Sequence, residues 1–159
     1  MDAQYITPFM TSIQNVFSTM LQMPVTINEP RIKEQPKATY DVSGVIGMSG
    51  DVTGTVVLSF PLDTAQRLVT LFVGETIEVD NPDFADAIGE LVNMVSGNAK
   101  GLFSDKRVSI TCPSVIIGEN HNVSTSKDTP CIVIPCETDC GELAIEVAIR
   151  DAAENAKAA

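Results

Sequence analysis

The chain has 159 residues, 44% hydrophobic and 19% charged, with ten Lys and Arg against twenty-one Asp and Glu for a net charge of −11. A chain of this length and composition reads as one soluble globular domain over 1–159, able to hide about 70% of its unfolded surface without disulfides or a structural metal. Nine acidic and four basic residues up to Asp80, then twelve and six, spread the acid evenly and argue against nucleic acid as a partner. No apolar run reaches the about 18 residues of a membrane span. Met1 to Tyr5 lack the features of a secretory signal, so no membrane and a cytoplasmic location are expected.

Ile6, Phe9, Ile13, Val16 and Met20 recur at helical spacing and stop at Met23-Pro24, predicting a first long amphipathic helix. Thr39 to Phe60 carries Gly44, Gly47, Gly50 and Gly54 among β-branched residues, with Ser49-Gly50-Asp51 as the turn of a hairpin. Pro61 opens a short helix through Leu62, Ala65, Leu68, Val69 and Phe72, with Gly74 at the C-cap place. Asp80-Asn81-Pro82 offers side-chain acceptors and a first-turn proline to a second long helix that runs to about Ser104. Strands follow at Val108 to Ile117, Cys131 to Pro135 and Leu143 to Ile149, with a polar loop from Gly118 to Thr129. The last ten residues read as helical or frayed.

Two offsets suggest duplication. Phe9, Ile13 and Val16 fall on Phe84, Ile88 and Leu91 at 75, and Gly54-Thr55-Val56-Val57-Leu58 matches Gly141-Glu142-Leu143-Ala144-Ile145 at 87. The expected architecture is α+β: a duplicated helix-plus-hairpin unit forming a mostly antiparallel sheet, with two long helices and one short helix packed on it.

On a wheel of the second long helix, Phe84, Ile88, Leu91, Val95, Ala99 and Leu102 make the core side. The opposite stripe holds Asp86, Glu90, Asn93, Gly97 and Lys100. Asn93 and Gly97 each weaken a helix, Gly by about 1 kcal/mol relative to Ala. Something other than helix stability therefore selects them. A bare patch at Gly97 admits a close partner, while Glu90 and Asn93, three apart, project side by side. A carboxamide cannot act as a base, but it can hold a water in place. That suffices for an already activated bond such as an acyl phosphate. Glu90 would then anchor a cation of the partner.

The run Asp86-Ala-Ile-Gly-Glu90-Leu-Val-Asn93-Met-Val-Ser-Gly97-Asn98 resembles the D-x-x-x-E-x-x-N-x-x-x-G-N signature of the CheC/CheX/FliY family of chemotaxis phosphatases. The opening Pro8-Phe9 helix and the Gly54 strand leading to Pro61 resemble it too. The resemblance implies a CheC-like fold and hydrolysis of the aspartyl phosphate of a CheY-type response regulator. Asn93 would orient the attacking water and Glu90 would pair with the regulator's lysine. Asp86, Gly97 and Lys100 would complete the contact face. Magnesium would belong to the phosphorylated regulator, with no cofactor or metal of the chain's own. CheC-like members carry the Glu-x-x-Asn pair on both long helices, whereas the first helix here has Asn15 and Ser18 at those places. One active face per chain and a homodimer that extends the sheet are implied, as in the CheX type.

Two other functions compete: a non-catalytic regulator-docking or flagellar-switch-like module of the same fold, and a metal protein built on Cys112, Cys131, Cys136 and Cys140. No C-x-x-C pair is present, and buried reduced thiols are the simpler reading. His121 reads as a surface loop residue, and Gly44 to Gly50 as hairpin glycines without phosphate-loop spacing. A net charge of −11 would slow encounter with an acidic receiver at low salt, with Lys100 offsetting part of the repulsion.

Overall fold

The computed structural model describes residues 3–123 and 128–153. In chain order these form α1 (Ala3–Leu21), β1 (Thr26–Ile27), β2 (Arg31–Ile32), β3 (Val42–Gly50), β4 (Val52–Phe60), α2 (Leu62–Val73), α3 (Pro82–Lys100), β5 (Val108–Ile110), β6 (Ser114–Ile117), β7 (Ile132–Thr138) and β8 (Gly141–Asp151). The strands join in one sheet of order β1-β7-β8-β4-β3-β5, with β2 also on β7 and β6 also on β3. Every pairing is antiparallel. The architecture is the expected α+β arrangement of three helices on an antiparallel sheet.

The duplication is visible in the sheet's centre. Leu58 and Ile145, related by the sequence offset 145 − 58 = 87, face each other across the β4–β8 pair, so a pseudo-twofold axis passes between them. Gly54 and Gly141, at the same offset, both take positive φ, +142° and +127°. A Cβ on Gly54 would lie 2.1 Å from the Ala148 carbonyl oxygen, which fixes glycine there. The two long helices pack on each other, and the buried Ser12 hydroxyl donates to the Val95 carbonyl.

Phe9, Ile13 and Phe17 of α1 are fully buried, but Met20 is 48% exposed. Gln22 takes a left-handed φ of +51°, and the Met23 amide bonds back to the Phe17 carbonyl, so Met23 fills the position that periodicity gave to Met20. The expected hairpin is β3–β4. Its tip at Gly50 and Asp51 is tied to Arg107 by the Asp51 amide and carboxylate, each at 2.8 Å. The short helix begins after Pro61 and ends at Gly74, whose φ of +90° is the left-handed cap conformation. The 108–117 segment is two strands rather than one. β1 and β2, two residues each, had no sequence signal, and residues 124–127 of the polar loop and 154–159 of the tail lie outside the described residues.

Gly44 sets where α3 rests. A Cβ there would come within 2.2 Å of a Val92 methyl, so the helix lies directly on β3 at this point. Overpacking of this kind costs about 1–3 kcal/mol, and Gly44→Val is expected to lower the thermal unfolding midpoint by several degrees. An unchanged midpoint in a calorimetric scan would mean that α3 is not seated on β3 in this way.

Candidate functional site

Asn81 caps α3, its side chain accepting from the Asp83 amide at 3.0 Å, and Pro82 occupies the first turn as the sequence implied. The helix stops at Lys100, not Ser104. Beyond it the amides of Leu102 and Phe103 bond to carbonyls only three residues back, tightening the chain away from the helical wheel. Leu102 is therefore 41% exposed rather than core, and Phe103 is buried against Phe9 and Tyr5. Phe84, Ile88, Leu91, Val95 and Ala99 are buried as expected, joined by Val92.

On the opposite face Asp86, Glu90 and Lys100 are exposed, and Asn93 and Gly97 are half-buried. Asp86 and Glu90 are like charges four apart, an arrangement that costs a helix a few tenths of a kcal/mol. These two and Asn93 border one open groove of about 610 Å³. Gly97 lies farther along α3, with no atom of the described residues within 4 Å of the place a Cβ would occupy, and Lys100 sits in the last turn, where the helix dipole favours a cation. Neither borders the groove.

The groove's second wall went unread in the sequence. It is the Thr111-Cys112-Pro113 connection between β5 and β6. Met48 pairs with Ile110 and Val45 with Ser114, so Ile46 and Gly47 of β3 face the three residues 111–113. The extra residue makes a bulge that aims the wall at α3. Thr111 holds it, its amide donating to the Gly47 carbonyl and its hydroxyl accepting from the Gly47 amide. Gly89 lets the wall approach, since a Cβ there would already touch Pro113 at 3.4 Å. Pro113, which cannot donate to a ladder, is the signal that could have split the 108–117 strand.

The remaining sequence candidates lie elsewhere. Cys136 and Cys140 are buried and Cys131 partly so, whereas Cys112 is exposed in the groove wall, contrary to the expectation of four buried thiols. Its place on the bulge turns it outward. Burial pushes the Cys136 thiol up to about 12 and, together with the Glu146 carboxylate, the Cys131 thiol up to about 11. Among the described residues no three His, Cys, Asp or Glu side chains gather as a metal site would require. His121 is not a free loop residue: its Nε2 lies 2.7 Å from the Oγ of the buried Ser43, and its Nδ1 donates to the Gly118 carbonyl at 2.8 Å. Asn15 and Ser18 are exposed on α1, away from this groove. No described helix is long and apolar enough to cross a membrane.

Comparison with known proteins decides the family. The model of the chemotaxis phosphatase CheX family matches residues 42–137, more than half of the chain. This chain belongs to the CheX family. The CheY-P phosphatase CheX of Thermotoga maritima is 27% identical over 129 residues, covering 79% of this chain and 83% of its own. The crystal structure of a chemotaxis protein CheX from Desulfovibrio desulfuricans superposes with a TM-score of 0.83 at 33% identity, covering 93% of this chain and 99% of that one. The CheX of a CheX–CheY–BeF3–Mg2+ complex from Borrelia burgdorferi has the same fold, with a TM-score of 0.77 at 24% identity over 92% of this chain and 98% of that one. The family match begins at the first residue of β3 and ends within β7, so it contains α3 and both walls of the groove and leaves out α1.

Proposed function

We propose that this chain, as a single CheX-like unit, hydrolyses the aspartyl phosphate of a CheY-type response regulator, using the α3 face. The observation that carries the reading is the placement of Glu90 and Asn93 together at one open groove, on a helix whose exposed side tolerates locally unfavourable residues. The phosphatase name of the Thermotoga maritima relative and the CheY and Mg2+ held in the Borrelia burgdorferi complex support the partner.

In this reading the regulator brings its phosphoaspartate and its Mg2+ to α3. The Asn93 carboxamide holds a water in line with the phosphorus. The water oxygen bonds to phosphorus as the bond to the aspartate oxygen breaks, releasing inorganic phosphate and a carboxylate. Such transfer depends on alignment and charge neutralisation, which a carboxamide and a substrate-borne metal supply. Glu90 binds the regulator's lysine, Asp86 extends the negative edge one turn earlier, and Lys100 offsets the charge at the far end. A second copy pairing along the sheet edge belongs to the same reading. β6 is an outer strand bonded to β3, with Ile116 and Ile117 36% and 39% exposed.

Phosphate release from a magnesium-loaded, phosphorylated CheY-type receiver should accelerate when the chain is added. Phosphorylation-dependent binding with an unchanged phosphate lifetime would instead make it a docking module. Gly97 offers a test with opposite signs. No neighbour among the described residues demands a glycine there, so Gly97→Ala should stabilise the fold by up to about 1 kcal/mol. The added methyl should at the same time weaken receiver binding by an amount readable in a titration. Stabilisation with unchanged affinity would remove Gly97 from the contact face.

A further inference from the structure

On the sheet face away from the helices, Glu146 of β8 lies between Val57 of β4 and Val133 of β7. Its neighbours Ile145 and Val147 point into the helical core, and alternation turns Glu146 the other way, where the chain around Lys33 covers it. It is 2% exposed. Lys33 pairs with its Oε1, while its Oε2 has no hydrogen-bond partner among the described residues. Native proteins seldom leave a buried carboxylate oxygen unmet. Both residues line a cavity of about 480 Å³ shared with Glu34, Thr55, Val57 and Cys131.

We propose that this back-face cavity binds a small organic monocation, a primary amine or a guanidinium on a short apolar body, whose N–H groups bond to Glu146 Oε2. Among the described lining residues Lys33 and Glu146 cancel in charge and Glu34 leaves −1, which suits one positive charge and opposes an anion. The volume lies in the range of small-molecule sites, and Val57 offers an apolar wall. A divalent metal is a poor fit, because hard cations take six or more oxygen ligands and no cluster of three ligating side chains lies among the described residues. The Cys131 thiol, held protonated by burial and by Glu146, does not compete as an anion. Oε2 is closed to solvent when the cavity is empty, so the ligand displaces part of its cover while Lys33 keeps its pair with Oε1.

The test is a backbone-amide NMR titration of the full chain with n-butylamine, using n-pentanol as the uncharged counterpart of similar size. Saturable shifts centred on Thr55, Val57 and Glu146 are expected with the amine. The alcohol should bind about tenfold more weakly or worse, as should the amine to Glu146→Gln. Glu146→Gln should leave receiver phosphate release unchanged, since the residue lies on the opposite face from α3. Shifts that rise linearly without saturating, equal binding of amine and alcohol, or a crystal grown in saturating amine with only a water on Oε2 would each overturn the proposal. The amine–alcohol comparison needs no variant, so it stands even where Glu146→Gln does not fold.

Discussion

Replacing Asn93 by Ala is expected to lower the rate of phosphate release from a saturating phosphorylated receiver by about a hundredfold or more, because misplacing an attacking water by about 1 Å already costs that much. Binding of the receiver should change little. Asn93 is half-buried on a helix whose opposite side carries the packing, and alanine is the better helix former, so the fold should be undisturbed or slightly more stable. The loss would then be a loss of positioning, falling on kcat rather than KM. Asn93→Asp separates positioning from basicity. It keeps the length and offers a base, yet sets a negative charge against a phosphoryl group, so it should be no better than Ala. Single-turnover phosphate release at saturating variant, alongside a binding isotherm, measures both quantities. Near-normal turnover in Asn93→Ala would remove the carboxamide from the reaction.

The second long helix was legible because its signals are local. Asn81 and Pro82 mark its start, and Phe84, Ile88, Leu91 and Val95 give a buried stripe that leaves Asp86, Glu90 and Asn93 on the other side. Its end is local too: just past Lys100 the amides of Leu102 and Phe103 turn to carbonyls three residues back, which swings Leu102 outward, and an apolar period carried on to Ser104 does not register that tightening. The second wall of the groove was illegible because it depends on register: the bulge at 111–113 exists only relative to β3, more than sixty residues earlier in the chain. Leu143 to Ile149 read as a continuous apolar strand, and its one interruption, Glu146, carried no sign of its partner Lys33, 113 residues away. The same distance problem hid the tie between Ser43 and His121, 78 apart. Periodicity reports which face of an element is buried and is silent on what covers it.

Glu90 should behave in the opposite way to Asn93. Glu90→Ala is expected to raise the receiver's KM and Kd by about tenfold or more, the worth of a charge-assisted hydrogen bond, with kcat at saturation within a few fold of the parent chain. Glu90 is exposed in the free chain, so its removal opens no cavity, and an exposed helical alanine carries no folding penalty. The loss should be larger at low ionic strength than at high, because a charge pair at an interface is screened by salt. Glu90→Gln distinguishes charge from shape: it retains the side chain's length and hydrogen-bonding capacity, so an effect close to that of Ala would assign the contribution to the charge. Asp86, one turn away in the same groove, leaves part of the negative edge in place, and Asp86→Ala combined with Glu90→Ala should lose more than either alone. A drop in kcat with unchanged Kd in Glu90→Ala would contradict the anchoring role and move that carboxylate into the chemical step beside Asn93.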